Sequence, residues 1–240
     1  MRDRFQQVED LIEAEPIADG DGPGAVGGLR RLCAATARAL SASGAGLTVM
    51  VKTGLRAVTA ASDPATERLE ELQLTLGEGP CIDAYALQHP VLIPDLDQAM
   101  ARWPAYSPAV REGGVGAVFA FPLQIGAARL GILDVFRTET GMLTSDELVL
   151  ALTFAEVAVT TLLDGQDHAE TDHRHGWPDD PLGSRSELFQ AQGMVMVQLS
   201  TTLADAMVRI RAYAYANDRR LSDVAGDIVA RRISFDGQLP

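Results

Sequence analysis

The sequence predicts an α+β domain, in which helices flank an antiparallel sheet, followed by a small all-helical domain. Segments 117–125 and 128–138 have the composition of strands, and Gly126-Ala127 between them indicates a tight hairpin. Helical periodicity lies on both sides of the strand patterns, as expected when helices cover a sheet. Beyond a polar segment at 164–183, only helical patterns remain.

A helix and a hairpin are predicted first along the chain. Residues 23–43 carry apolar side chains at helical spacing, namely Val26, Leu29, Cys33, Ala37 and Leu40. Segments 45–53 and 55–63 then have strand composition, and Thr53-Gly54 between them indicates a short turn.

A second helix is predicted over residues 64–76, because Asp63 is a favourable N-cap and Pro64 suits the first helical position. A glycine-containing loop follows. After it the pattern indicates a short helix, a strand at 90–96 and a further helix that ends near Glu112.

A closing helix completes the larger domain after the second hairpin. Ser145 is its predicted N-cap, and Glu147 lies in its first turn. Residues 164–183 lose apolar periodicity and are rich in Gly, Pro, Asp and His, which predicts a linker. The predicted domains are therefore 1–163 and 184–240.

Three short helices are predicted after the linker, with Ser184 or Ser186 capping the first and Thr202 capping the second. Their core-facing stripes are Leu188, Ala191, Val195 and Leu199, then Leu203, Ala206, Met207, Ile210 and Ala214, then Leu221, Val224, Ala225, Ile228 and Val229. Three helices of this length bury little surface, so docking or dimerisation is expected.

Charge is distributed unequally along a chain of net charge -13. Residues 1–183 carry 13 basic and 27 acidic residues, whereas residues 184–240 carry 7 and 6. Because binding to a polyanion requires local cations, any nucleic-acid surface is expected in the second domain.

Arginines and tyrosines of the second domain are candidate RNA-binding residues. Arginine pairs with phosphate in a bidentate manner, and tyrosine stacks on unpaired bases. The candidates are Arg209, Arg211, Tyr213, Tyr215, Arg219 and Arg220. Since arginines on a small bundle are often solvated or ion-paired, a surface that does not bind RNA remains an alternative.

Three submotifs resemble the ANTAR family of transcription antiterminators. They are Gln190-Ala191-Gln192-Gly193-Met194, then Ala206 through Ile210-Arg211 to Ala214, then Arg219-Arg220-Leu221 through Val224-Ala225. The resemblance implies a dimeric three-helix module that binds paired RNA stem-loops in leader transcripts, with Gln190, Ala191, Gln192 and Gly193 among its RNA-binding residues. Many members have lysine where Gln192 stands, so lower phosphate affinity is expected here.

The string Gly77-Glu78-Gly79-Pro80-Cys81 is the outstanding feature of the first domain. Pro80 indicates a helix start, whose free amides would stabilise a Cys81 thiolate, although a buried inert thiol is the alternative. The string resembles a loop of GAF domains that are joined to ANTAR modules. This resemblance implies an unidentified small-molecule ligand, with Glu78, Gly79 and Cys81 as candidate ligand- or redox-sensing residues.

Several classes of function are not expected. The two cysteines are too few for a disulfide framework, and neither a signal peptide nor an apolar run of about 18 residues is present, so a cytoplasmic protein without a membrane span is predicted. His168, His173 and His175 of the linker are interpreted as solvated. No catalytic residue, metal or cofactor is expected.

The sequence thus predicts a non-enzymatic RNA-binding regulator of transcription antitermination that senses a small molecule or redox state. Two alternatives remain open. One is a protein-binding signalling regulator without RNA binding. The other is a GAF-type thiol reductase, which would need Cys33 and Cys81 to react with each other.

Overall fold

A five-stranded antiparallel sheet forms the centre of the larger domain in the computed structural model, which describes residues 2–16, 25–50, 56–171 and 183–235. The strand order is β2-β1-β5-β4-β3. The strands are β1 (Gly44–Met50), β2 (Arg56–Ala61), β3 (Val91–Ile93), β4 (Ala117–Ile125) and β5 (Ala128–Arg137). The predicted α+β class and antiparallel sheet are confirmed.

One of the two predicted hairpin turns lies within the described residues. β4 and β5 pair antiparallel and turn at Gly126, whose φ of 55° is a left-handed conformation that glycine adopts without strain. The tight turn predicted at Gly126-Ala127 is therefore confirmed. β1 and β2 also pair antiparallel, but the turn predicted at Thr53-Gly54 lies outside the described residues.

Helices cover both faces of the sheet. α1 (Arg2–Glu13), α2 (Ala25–Ala39) and α6 (Ser145–Thr171) pack on one face, which we call the outer-helix face. α3 (Pro64–Leu76), α4 (Pro80–Leu87) and α5 (Tyr106–Glu112) pack on the other, which we call the polar-cluster face. Residues Leu96–Ala99 form an additional 3-10 turn.

Alternation along the strands separates two cores. Leu133 and Val135 of β5 pack with α2 and α6, whereas Ile132 and Phe136 pack beneath α3, α4 and α5. Helix α1 was not predicted, although its Val8 is fully buried in the first core. Phe5, Val8, Leu11 and Ile12 lie at helical spacing and pack in or against the first core, so the signal for this helix was present in the sequence.

Two of the predicted helix starts can be checked against their capping bonds. The Asp63 carboxylate accepts hydrogen bonds from the amides of Ala65 and Thr66, which confirms Asp63 as the N-cap of α3. At α6, the Thr144 hydroxyl accepts from the Glu147 amide, and the Glu147 carboxylate accepts from the Thr144 amide. This reciprocal capping box makes Thr144 the N-cap, one residue before the predicted Ser145.

Helix α6 continues past the predicted end of the larger domain. It reaches Thr171, so the first eight residues of the segment 164–183 are helical and are not an extended linker. Extending an existing helix costs much less than nucleating one, and the sequence Asp164–Thr171 has no proline to stop it. Residues 172–182 lie outside the described residues.

The C-terminal bundle consists of α7 (Gly183–Leu199), α8 (Leu203–Ala216) and α9 (Leu221–Val229). Thr202 caps α8 through the Asp205 amide, as predicted, whereas Ser184 and Ser186 fall inside the first turn of α7. Most predicted stripe residues are buried. Leu203 is instead 40% exposed, because the first residue of α8 precedes the part of that helix which contacts the core.

Within the described ranges, none of the helices combines the length and the apolar character that crossing a bilayer requires.

Candidate functional site

A group of buried polar side chains lies on the polar-cluster face of the sheet. Thr48 comes from β1, Asp134 from β5, and Glu70 and Gln73 from α3, and each of these side chains is 0% exposed. Cys81, near the start of α4, is equally buried. We call Thr48, Glu70, Gln73, Cys81 and Asp134 the interior cluster.

Neutral donors hold one oxygen of each carboxyl group in the interior cluster. The Thr48 hydroxyl donates to Glu70 Oε2 at 2.7 Å, and Gln73 Nε2 donates to Asp134 Oδ2 at 2.9 Å. Gln73 Oε1 accepts from the Cys81 amide at 2.8 Å. These bonds tie α3, the start of α4 and two strands together.

Two glycines make room for the side chains from α3. A Cβ at Gly46 would lie 2.5 Å from Glu70 Cγ, and a Cβ at Gly79 would lie 2.5 Å from Gln73 Oε1. Gly79 also has a φ of 137°, a conformation that other residues rarely adopt. Both positions therefore require glycine for the interior cluster to assemble.

Burial perturbs the titration of both carboxyl groups. It raises the pKa of Asp134 to about 7, and hydrogen bonds with Glu70, Gln73 and Cys81 oppose this rise. Burial also raises the pKa of Glu70 well above its usual value, and the adjacent Asp134 raises it further. The pair therefore holds a proton at a pH where exposed carboxyl groups are ionised.

The two carboxyl groups cannot both be bare carboxylates. Unless one is protonated, neither Glu70 Oε1 nor Asp134 Oδ1 has a hydrogen-bond donor among the described residues. Two like charges in a buried site repel strongly. Either a proton or a cation must be held between them.

The glycine-containing loop at 77–81 positions the interior cluster. Gly77 ends α3 with a φ of 72°, and Pro80 is the first residue of α4. Glu78 Oε1 accepts from the amides of Ala105 and Tyr106 at 2.7 and 2.8 Å, so this side chain caps α5. Of the three candidate sensing residues, Cys81 alone belongs to the interior cluster, while Glu78 and Gly79 support it.

The capping role of Glu78 leads to a stability prediction. Glu78→Ala is expected to lower the free energy of unfolding by about 1 kcal/mol, because two amides at the start of α5 lose their acceptor. Glu78→Gln keeps an acceptor oxygen and should lose less. Urea denaturation of both variants measures this difference, and equal losses would contradict the capping role.

The two thiols lie on opposite faces of the sheet. Cys33 belongs to the core beneath α2 and α6, and Cys81 to the core beneath α3 and α4. Burial raises the pKa of the Cys33 thiol, which keeps it protonated. Because the sheet separates them, these thiols cannot form a disulfide within this fold.

Sequence reasoning missed Thr48, Glu70, Gln73 and Asp134. One signal was available in β5, where Asp134 interrupts the apolar run Gly131–Phe136. Another was the polar stripe that Thr66, Glu70 and Gln73 form at helical spacing on α3. Partners of such stripes cannot be identified before the sheet register is known.

The C-terminal bundle docks on the other side of helix α3. Arg220, directly before α9, donates to Glu71 Oε1 and to Glu67 Oε1, each at 2.8 Å. These hydrogen bonds with Glu71 and Glu67 raise the pKa of Arg220. Ser222 also donates to Glu71, and Leu74 of α3 packs into the core of the bundle.

Arg211 lies at the same interface. A Cβ at Gly77 would lie only 2.9 Å from Arg211 Nη1, so the guanidinium is close to the C-terminal end of α3. That end carries the negative pole of the helix dipole. Two of the predicted RNA-binding arginines, Arg211 and Arg220, are therefore held by the larger domain.

The other predicted RNA-binding residues have varied environments. Ala191 and Gln192 are buried, and Gln192 Nε2 donates to the Leu203 carbonyl at 2.7 Å, so neither side chain can contact RNA in this conformation. Arg219 forms an ion pair with Asp227, and Tyr213 packs edge-on against Phe235. The remaining candidates are accessible: Gln190, Gly193, Arg209 and Tyr215.

A family model described as the GAF domain matches residues 29–162. The chain belongs to the GAF family. The match covers the sheet and the helices from α2 into α6, so the interior cluster lies within the GAF domain. The C-terminal bundle lies outside the match, and its likeness to ANTAR domains rests on the three submotifs alone.

Solved GAF domains have the same fold. The GAF domain of a phosphoenolpyruvate-protein phosphotransferase from Coxiella burnetii is 18% identical, with a TM-score of 0.55, covering 70% of this chain and 95% of that one. The corresponding domain from Acinetobacter is 10% identical, with a TM-score of 0.52 and coverage of 70% and 96%. No curated protein is detectably similar to the chain. At these identities the likeness shows the fold alone.

Proposed function

We propose that this protein is a cytoplasmic, non-enzymatic regulator of transcription antitermination, in which the GAF domain senses a small molecule or redox state and the C-terminal bundle binds paired RNA stem-loops. One observation supports it most directly. Arg211 and Arg220, both in the ANTAR-like submotifs, are held against α3. Release of the bundle would make both available to phosphate.

Helix α3 provides a physical connection between sensing and output. Glu70 and Gln73 on one side of the helix belong to the interior cluster, while Glu67, Glu71 and Leu74 on the other side contact the bundle. A change in the interior that shifts α3 therefore alters the docking surface directly. The acidic GAF domain acts as an intramolecular competitor of RNA.

A second copy of the chain would cover apolar surface on the bundle. Val197 of α7 is 71% exposed, and Val208 of α8 is 59% exposed. Dimerisation would remove this surface from water and bring two RNA-binding bundles together, as paired stem-loops require. Analytical ultracentrifugation of wild type and Val208→Glu tests this arrangement, since a monomeric wild type would contradict it.

The decisive experiment is sequencing of RNA that is crosslinked to the protein in its own cells. Enrichment of leader transcripts with two adjacent stem-loops is expected. Recovery of no RNA above the background of an untagged strain would contradict the proposal. A protein partner captured in place of RNA would favour the signalling alternative.

Arg209 provides a matched test with purified components, because it is exposed on α8. Arg209→Ala is expected to weaken RNA binding by about 1–2 kcal/mol and to lower the salt dependence by about one ion. Arg4→Ala on α1 makes the same charge change at another exposed site and serves as the control. Equal RNA affinities for the two variants would place Arg209 outside the RNA interface.

A further inference from the structure

The interior cluster contains three groups that can coordinate one ion. Glu70, Cys81 and Asp134 each offer a ligand atom, and these atoms lie within 4.8 Å of one another. All three residues are fully buried. A tetrahedral zinc site places its ligand atoms about 3.5 Å apart, so displacements of the ligand atoms by about 1 Å would close this group around an ion.

The hydrogen bonds around the group resemble those that orient metal ligands. Thr48 and Gln73 each occupy one carboxylate oxygen, which leaves Glu70 Oε1 and Asp134 Oδ1 without a donor among the described residues. Partners of this kind fix the orientation of ligating carboxylates.

Tyr106 supplies an independent observation. Its side chain is 0% exposed, and its hydroxyl has no hydrogen-bond partner among the described residues. Tyr106 belongs to the same buried core as Cys81, on the polar-cluster face of the sheet. A buried hydroxyl without a partner is costly, and a bound ion or its water would satisfy it.

We propose that Glu70, Cys81 and Asp134 bind one divalent transition-metal ion of the zinc class. A thiolate with two carboxylates suits such an ion better than Mg²⁺ or Ca²⁺, which take oxygen ligands. Binding releases the thiol proton and the proton of the carboxyl pair to solvent. The ion thereby offsets most of the negative charge of the thiolate and the two carboxylates.

A single ion fits this place better than an organic cation. After small side-chain movements one ion could bridge the converging groups, and Met50, Tyr106 and Phe136 of the same core are fully buried on that face. The inference deepens the sensory role proposed above, since Glu70 and the bundle-contacting Glu71 are neighbours on α3. Metal occupancy itself does not depend on RNA binding.

The test uses the full-length chain, unfolded with a chelator and refolded with Co²⁺ in place of the unidentified ion. Wild type is expected to bind about one equivalent and to show a thiolate-to-cobalt charge-transfer band. Cys81→Ala should show no such band and should bind at least tenfold less cobalt than wild type. The same result is expected for Asp134→Asn. Cys33→Ala removes the other thiol and should retain both the band and the bound cobalt.

Each contrary outcome overturns the proposal. A folded wild type that lacks both the band and bound cobalt would show that the carboxyl pair holds only a proton. Retention of the band in Cys81→Ala, or its loss in Cys33→Ala, would place the metal elsewhere. The wild-type measurement does not depend on the variants, so the proposal can still be refuted if a variant fails to fold. Bound metal without any RNA binding would refute only the function proposed above.

Discussion

Glu71→Lys is expected to release the C-terminal bundle from the GAF domain and to raise the proposed RNA affinity of the bundle about three- to tenfold. In wild type, Arg220 is paired with both Glu71 and Glu67, and Ser222 donates to Glu71 as well. Partly exposed ion pairs contribute about 0.2–1 kcal/mol each, and the substituted lysine adds repulsion. A loss of about 1.4 kcal/mol in docking corresponds to tenfold in affinity if docking and RNA binding compete.

Glu156→Lys is the matched control for this charge reversal. Glu156 is exposed on α6, on the outer-helix face, and its substitution changes the net charge equally without touching the interface. RNA binding is measured by fluorescence anisotropy over a range of salt concentrations. Hydrogen exchange in α9 reports release of the bundle independently. If the two variants bind RNA equally at every salt concentration, masking by α3 is wrong.

Gly131→Ala is expected to destabilise the GAF domain by about 3 kcal/mol or more. Gly131 lies in the central strand β5, paired with Val49 of β1 on one side and Leu123 of β4 on the other. An added Cβ would lie 2.2 Å from the Thr48 carbonyl oxygen. Because that oxygen belongs to the backbone of β1, relief requires separating two paired strands.

Gly28→Ala provides the comparison for this glycine. Gly28 lies inside α2, and an added Cβ would meet Thr161 Cγ2 at an ordinary contact distance of 3.8 Å. Alanine is favoured over glycine within a helix by about 0.5–1 kcal/mol, so this variant should be at least as stable as wild type. Urea denaturation gives the free energy of unfolding of both variants. Similar midpoints for Gly131→Ala and wild type would mean that the β1–β5 pairing tolerates the methyl group.

Local patterns were sufficient for most of the secondary structure and for the fold class. Asp63 and Thr202 cap their helices as predicted, because an N-cap bond joins residues only two or three apart. Alternation in β4 and β5, with glycine at the turn, was likewise enough to predict the central hairpin. The helix at the N-terminus was missed, although Phe5, Val8 and Ile12 carry its signal at helical spacing.

The roles of the candidate site residues depend on tertiary contacts and could not be predicted from local patterns. The string 77–81 was recognised from the sequence, but whether each side chain caps a helix or joins the interior cluster depends on where α5 and β5 lie. Gln192, selected as an RNA contact, instead bonds to the carbonyl of Leu203 across the bundle. Helical periodicity alone does not identify which polar side chain finds a buried partner.

By itself, the sequence determined the α+β class, the separate helical C-terminal region and the position of the glycine-containing loop, all of which depend on neighbours along the chain. The tertiary structure alone decided that Glu70 and Asp134 meet in the buried interior, and that Arg220 faces Glu67 and Glu71. Each of these contacts joins residues more than 60 positions apart. Such contacts depend on sheet register and helix docking, which the packing of the whole chain determines.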